Sequence, residues 1–558
     1  MGISVSDPKQ AFKRKIMKIG RNQICPLCNS GKKYKKCCGN PLLSEKPTLI
    51  KLSPNEISSE VKKALDRHKA NELIREQQQG LGKPIIATKF KDQQVVAVGN
   101  TIYFSPKWKT FPDFLSDYLK STIGGEWGNS EIRKILEERH PILQWYDKYC
   151  KLQQEHLDGY GKVESIPATG AVYCYLGVAY NLYLLKHNVE LQQRYIERLK
   201  DINNFQGAYY ELVVANCLIR SGFELELEDE TDEQTKHCEF SAVSKMTGKK
   251  YWVEAKSRAV AGILGKTSKN GTTKNDPTCM LSKHLNNAFQ KPASDERLIF
   301  IDVNTSCEND TVPAWIERAG KKLDMKEKYL KPEQAAYVFV TNIGFHWNLD
   351  SEKREHAILA HGLGIPAFAK SGYFRLSELY RRKQRHIDGY DIMEAFRDYP
   401  KLPSTFDGSL PSETFNDNPQ HLKIGETYFF EDIGENGLTA TVTSATVNEP
   451  EKLIYIGTDK GQILTRPISD DELADYKNHP DTFFGTIHRQ GKRTDDEYGF
   501  FERLVEIHMS YPKSYTLKQI ETWGNADELK KLSHEDLVLE YCERLVAHLK
   551  VENQKPKS

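Results

Sequence analysis

Four cysteines crowd near the start of the chain, Cys25, Cys28, Cys37 and Cys38, in "ICPLCNSGKKYKKCCG". Four thiolates can close a tetrahedral zinc site that leaves no coordination position open, which makes such a site structural rather than catalytic. The adjacent pair is feasible because neighbouring Cα atoms lie about 3.8 Å apart, and a turned backbone lets both sulfurs converge. So short and polar a segment cannot bury much of itself, so metal binding would supply its folding energy. Four free or redox-active thiols are the competing reading of the same spacing. Lys32, Lys33, Lys35 and Lys36 sit inside the cluster and are candidates for contact with nucleic-acid phosphates.

A second constellation lies between residues 206 and 256. "QGAYYELVVANCLIRSGF" reads as a helix carrying Glu211, with Gly222 as its stop. "FELELEDE" and "KHCEFSAV" read as strands, and "SKMTGKK" as a turn leading into "KKYWVEAKSR". Side chains alternate along a strand, so Trp252, Glu254 and Lys256 share one face, with Glu239 on the neighbouring strand beside them. Glu239 and Glu254 are hard oxygen donors suited to Mg²⁺, with Mn²⁺ as a substitute, and Glu211 can serve the same or a second ion. A metal there polarises a phosphodiester and activates water. Lys256 would stabilise charge on the attacked phosphate. Two other E-x-K triplets, at residues 60–62 and 528–530, fall in helical patterns where i and i+2 do not share a face. The bland alternative for the 254 triplet is a surface hairpin with solvated charges.

Helix–strand–hairpin with these carboxylates and E-x-K resembles the PD-(D/E)xK, or restriction-endonuclease-like, nuclease superfamily. The resemblance implies Glu211 as the helix acid, Glu239 at the usual Asp position, and Glu254 with Lys256 as the (D/E)xK pair. It continues through "TCMLSKHLNNAFQK", "ERLIFIDVN", "AWIERAGKKL" and "AAYVFVTNIG". The departure is Glu239, where the family usually has Asp. The cysteine segment, through "SGKKYKKCC", resembles the SEC-C zinc motif; its first pair here has two intervening residues where one is usual. That resemblance implies an appendage that binds a protein or nucleic-acid partner and performs no catalysis.

The elements that must position these groups follow from the pattern. The chain has 558 residues, 39% hydrophobic and 28% charged, with a net charge of +2. That length implies several folded units. We expect a multidomain α+β chain: a zinc module at 1–45, a mixed helical and β region at 46–165, and an α/β nuclease-like core at 166–397. A linker rich in Pro, Ser and Asp at 398–420, a small β domain at 421–505 and a helical tail at 506–558 complete it. Residues 1–40 hold ten Lys or Arg against Asp7 alone, so nucleic-acid contact would come from local patches. Lys266 and Lys269, in the loop after Lys256, form a second candidate patch.

"LGKPIIATKF" and "PKWKTFPDFL" interleave basic and aromatic residues, which suits either base stacking or a structural subdomain. His140 and His346, set among aromatics without a nucleophile motif, read as packed histidines. There is no phosphate-loop or GxGxxG motif. No apolar run approaches the roughly 20 residues of a membrane helix, and the basic N-terminus lacks an apolar signal core, so a cytoplasmic protein without membrane contact is expected. The scattered remaining cysteines suit reduced thiols. The combined expectation is a Mg²⁺-dependent endonuclease acting on nucleic acid, DNA in the first instance, with a structural zinc module for partner binding and an oligomer allowed. The alternative is a non-enzymatic zinc adaptor on a degenerate nuclease fold.

Overall fold

The computed structural model describes residues 59–156, 163–189, 193–227, 239–307, 312–331, 334–354, 356–370, 372–415, 421–431, 433, 437–487 and 496–554. The cysteine cluster, with Lys32, Lys33, Lys35 and Lys36, lies outside these residues. The chain divides into two compact units, Met1–Asp66 and Arg67–Ser558. The first turns of helix α1 (Ser59–Gln79) are the described part of the former. The remaining elements belong to the latter.

Strands β1 (Ile86–Phe90), β2 (Gln93–Val98) and β3 (Thr101–Ser105) form an antiparallel meander. Helices α2 (Phe111–Ile123), α3 (Gly125–Ile132) and α4 (Pro141–His156) come next. A Thr110–Asp113 capping box starts α2, the cap hydroxyl accepting from Asp113 N while the Asp113 carboxylate accepts from Thr110 N. Then come α5 (Gly170–Asn188), α6 (Gln193–Lys200) and α7 (Phe205–Arg220). Helix α5 is apolar almost all round and is accordingly interior. Asn216 on α7 donates to Asn181 on α5 at 2.8 Å, and Asn181 donates to the Tyr399 hydroxyl at 2.9 Å, so a chain of buried polar groups ties the two helices together.

The central sheet has six strands in sequence order: β4 (Phe223–Leu227), β5 (Phe240–Ser244), β6 (Lys250–Ser257), β7 (Glu296–Asp302), β8 (Ala336–Ile343) and β9 (His356–Leu363). β4, β5 and β6 pair antiparallel, β6–β7 and β7–β8 pair parallel, and β9 returns antiparallel. The parallel steps need crossovers, supplied by α8 (Leu281–Gln290) and α9 (Ala314–Glu327). Alternation sorts the strands onto two cores. Val253, Ala255, Leu298 and Phe300 face α7 and α5, while Ile299 and Ile301 face Leu281, Leu285, Trp315 and Leu323 of α8 and α9.

Helices α10 (Leu376–Arg385), α11 (Ile387–Asp398) and α12 (Pro411–Phe415) lead to a second meander. It comprises β10 (Thr427–Phe430), β11 (Leu438–Asn448), β12 (Leu453–Thr458) and β13 (Ile463–Pro467), closed by α13 (Asp470–Asn478). Helices α14 (Glu497–Met509), α15 (Lys513–Gln519), α16 (Ala526–Leu529) and α17 (His534–Gln554) end the chain, with α10 packed on α14 and α17. The expected linker at 398–420 is built into the fold over much of its length. Tyr399, Thr405, Leu410 and Ser412 are buried, and Phe111 N donates to Ser404 O. Its Pro and Ser residues break regular structure apart from the short α12, and a break in regular structure is not an absence of packing. No helix among the described residues is long and apolar enough to cross a membrane.

Candidate functional site: a carboxylate–lysine cluster on the central sheet

The register of β5 on β6 decides which side chains meet. Phe240 pairs with Val253, and Glu239 N donates to Val253 O at 3.0 Å, so Glu239 stands beside Glu254. Both point away from the face on which Phe240 and Val253 pack against α7. Glu254 pairs with Ile299 and Lys256 with Ile301 of β7, so these two side chains lie on the α8 side of the sheet. The strand pattern read from sequence is reproduced.

The Lys256 ammonium contacts both carboxylates. It hydrogen-bonds Glu239 Oε1 and lies 3.0 Å from Glu254 Oε1. Lys291, one residue beyond α8, donates to Glu254 Oε2 at 2.7 Å and lies 3.6 Å from Glu239 Oε1. Glu254 is 2% exposed, and its Oε1, despite the ion-pair contact, makes no hydrogen bond. Glu211 on α7 is also buried and accepts from Arg198 Nη2 at 2.6 Å.

Burial raises Glu211, the nearby Glu239 charge adds to it, and Arg198 offsets part, leaving its carboxyl pushed up to about 7. Burial acts in the same direction on Glu239, but the Lys256 and Lys291 charges outweigh it and hold that carboxyl below its ordinary range. Glu254 ends above its ordinary range, because burial and the Glu239 charge exceed what the two lysines return. Burial alone would lower Lys256; the two carboxylates overcome it and raise its ammonium. The cluster is therefore a dense, part-buried set of opposite charges in which each lysine is shared between two acids.

Glu239, Glu254 and Lys256 thus meet, and Glu211 lies within their electrostatic reach from the helix side. The three glutamates do not bring ligand atoms within 4.8 Å of one another as a trio. Among the described residues the trio that does is Asp324, Glu327 and His361, where Lys370 binds both Glu327 oxygens at 2.8 and 2.6 Å and already supplies the cation. Lys266 is directed elsewhere: its ammonium donates to Asn203 O. The loop that carries it is tied by the Val260–Thr272 bridge and an Ala261 N to Thr272 O bond of 3.0 Å, so it is a bonded loop. Lys269 is exposed.

Sequence reasoning missed Lys291, Arg198, His284 and Arg258. Burial and the Lys256 charge push His284 down to about 4, so its imidazole is neutral near pH 7, and its Nε2 has no hydrogen-bond partner. Arg258 is 4% exposed, with Nε and Nη1 lacking hydrogen-bond partners. His140 and His346 are packed as expected, against Phe205 and beside Asn304. The lysine so close to two acids was legible from alternation; the second one arrives from a different element and had no local signal.

Comparison with known proteins bears on the N-terminal segment. The SEC-C motif matches residues 21–40, which include all four clustered cysteines. The chain is 62% identical over 34 residues to protein translocase subunit SecA of Desulforapulum autotrophicum, covering 6% of this chain and 4% of that one. It is 66% identical over 32 residues to SecA 1 of Magnetococcus marinus, covering 6% and 3%, and 64% identical over 31 residues to SecA of Clostridium acetobutylicum, covering 6% and 4%. No solved structure matches the chain. The chain therefore spans only a few per cent of the length of these relatives, and what it has in common with them is a SEC-C zinc-binding motif at residues 21–40.

Proposed function

We propose that the chain is a metal-dependent nuclease of the PD-(D/E)xK kind, hydrolysing phosphodiester bonds of DNA, with its SEC-C zinc motif engaging substrate or a protein partner. One observation carries this reading. Glu239, the residue that leads into β5, and Glu254 of β6 converge on a single cation position that the Lys256 ammonium fills. Two carboxylates spaced around one ammonium are spaced to share a divalent ion, and Glu254 Oε1, which meets that ammonium at 3.0 Å as an ion pair, is the oxygen that would turn to the metal. The order helix, antiparallel hairpin, parallel strand–helix–strand around them supports the same reading.

Glu239 and Glu254 would hold Mg²⁺, with Glu211 behind them; the ion would supply Lewis-acid polarisation of the phosphate and an activated water. Lys256, released from between the carboxylates, carries its charge to the phosphoryl oxygens. Lys291 fixes the rotamer of Glu254 through Oε2. Arg198 keeps Glu211 partly ionised in a buried position by offsetting its desolvation. Four cysteines, Cys25, Cys28, Cys37 and Cys38, form the donor set suited to a closed structural Zn²⁺.

One observation favours the non-enzymatic zinc adaptor instead: the three glutamates do not form a compact ligand trio, and two lysines already compensate two of them. On that reading the cluster merely ties β5, β6 and α8 together. Incubation of the purified chain with Mg²⁺ or Mn²⁺ and single-stranded DNA, duplex DNA or RNA separates the two. The nuclease reading expects cleavage, reduced at least about 100-fold in Glu254→Gln and Lys256→Met. Cleavage that survives both substitutions removes the site assignment, and absence of cleavage on every substrate favours the adaptor.

A further inference from the structure

The β1–β3 meander has a face that its sequence leaves apolar. Gln94, Val96 and Val98 are buried beneath it, and Tyr103 packs edge-on to Phe114 and Tyr118 of α2 at 6.2 and 5.5 Å. Alternation then puts Ile86, Thr88 and Phe90 of β1, Gln93, Val95 and Ala97 of β2, and Ile102 and Phe104 of β3 on the opposite face. The register aligns Ile86 with Ala97 and Ile102, and Thr88 with Val95 and Phe104. An antiparallel sheet with one solvated face ordinarily makes that face polar. Here Ile86 is 57% exposed, Phe90 63%, Ile102 67% and Phe104 37%. Contiguous exposed apolar surface of this kind marks a binding site.

The charge around the face indicates its occupant. Residues 81–109 contain Lys83, Lys89, Lys91, Lys107 and Lys109 against Asp92 alone, in a chain whose net charge is +2. All five lysines are exposed. Lys91, in the β1–β2 turn, lies 5.7 Å from the centroid of the Phe90 ring. Gln94 pairs with Ser105, so Lys91 and Lys107 lie at one end of the sheet, beside Phe90 and Phe104. A second copy of the chain would bring like charge to like charge. A polyanion with flat apolar faces complements both features, and unpaired nucleotides are that polyanion; in a duplex the base faces are already stacked.

We propose that this face binds single-stranded nucleic acid, with bases stacking on Phe90 and Phe104 and phosphates held by Lys91 and Lys107. The other two aromatics in this basic stretch take no part: Tyr103 packs on α2, and Trp108 is 9% exposed with its Nε1 donating to Asp117 Oδ2 at 2.8 Å. The proposal does not require the carboxylate cluster to be catalytic.

The test uses the full zinc-loaded chain and fluorescein-labelled 20-nucleotide single strands of mixed sequence, DNA and RNA, with a duplex of the same sequence. Anisotropy is read with calcium in place of magnesium, so that binding is measured without turnover. Phe90→Ala and Phe104→Ala are each expected to weaken single-strand binding about tenfold and to leave duplex binding unchanged. Lys91→Ala with Lys107→Ala is expected to flatten the dependence of affinity on salt. These side chains are exposed, so the variants are expected to match the parent in circular dichroism. Single-strand affinity unchanged in all the variants overturns the proposal, as does equal loss for the duplex. A change in sedimentation of the Phe variants without any change in oligonucleotide affinity also overturns it and assigns the face to a second copy. None of these outcomes depends on whether the parent cleaves, which the Glu254→Gln comparison decides separately.

Discussion

Lys256 and Lys291 illustrate how far a single residue can be read. Glu254 and Lys256 share a face because they are two apart on a strand, and Glu239 joins them because a short hairpin fixes the register. Lys291 comes 37 residues after Glu254, from the far end of a crossover helix, and nothing near it in sequence marks it as a partner. Asp302 is a second residue of this type. It is fully buried at the end of β7 and accepts from Ile343 N at 3.0 Å, the Ser257 hydroxyl at 3.2 Å and the Thr341 hydroxyl at 3.3 Å. Burial exceeds what these bonds return and pushes its carboxyl up to about 7. Folding therefore takes up a proton at Asp302 between about pH 4 and 7, so its contribution to stability is greatest at the acid end and is lost as pH rises through 7. Asp302→Asn removes that term. Urea unfolding followed from pH 5 to 8 is expected to show a shallower loss of stability in the variant, by an amount on the order of a few kcal/mol across the window. Glu211, shifted in the same direction, retains a residual slope. Parallel profiles for parent and variant contradict this assignment.

At the scale of elements, the helices and strands of the central sheet were largely legible from periodicity, because long apolar repeats dominate local propensity. "KKYWVEAKSR", "ERLIFIDVN" and "AAYVFVTNIG" are β6, β7 and β8. What sequence did not signal is how elements dock. Helix α5 begins without a side-chain cap; its first N–H groups are met by backbone instead, Gly170 N donating to Ser351 O at 2.8 Å and Ala171 N to Leu349 O at 2.9 Å. That approach leaves no room at Gly170, where a Cβ would stand 2.3 Å from Asn348 O and 2.6 Å from Phe345 O. Gly170→Ala must push backbone aside, at a cost of about 1–3 kcal/mol. A lowered urea midpoint at constant slope is the expected result, and an unchanged midpoint contradicts it. The segment at 398–420 makes the same point from the other side: Pro400 follows the end of α11 and Pro411 opens α12, while Tyr399 and Leu410 still found cores to enter.

At the scale of the whole molecule, the zinc motif and the chain from Arg67 onward belong to different compact units, and their stabilities are expected to separate as well. The latter has its own apolar cores, so removing zinc should leave its thermal unfolding in place. Elemental analysis of the purified chain should find one zinc per molecule, lost in Cys37→Ser; zinc retained by that variant rules out the four-cysteine site. The divalent ion proposed for the carboxylate cluster is the decisive metal. If Lys256 occupies the position of that ion between Glu239 and Glu254, then metal and lysine compete for it. The most direct measurement is Mn²⁺ binding to the zinc-loaded full chain by electron paramagnetic resonance, with Lys256→Met and Glu254→Gln alongside. Mn²⁺ is expected to bind the parent, to bind Lys256→Met equally or more tightly, and to be lost from Glu254→Gln. Mn²⁺ binding that is absent from the parent and from Lys256→Met, or that is indifferent to Glu254→Gln, would contradict a metal site between these carboxylates.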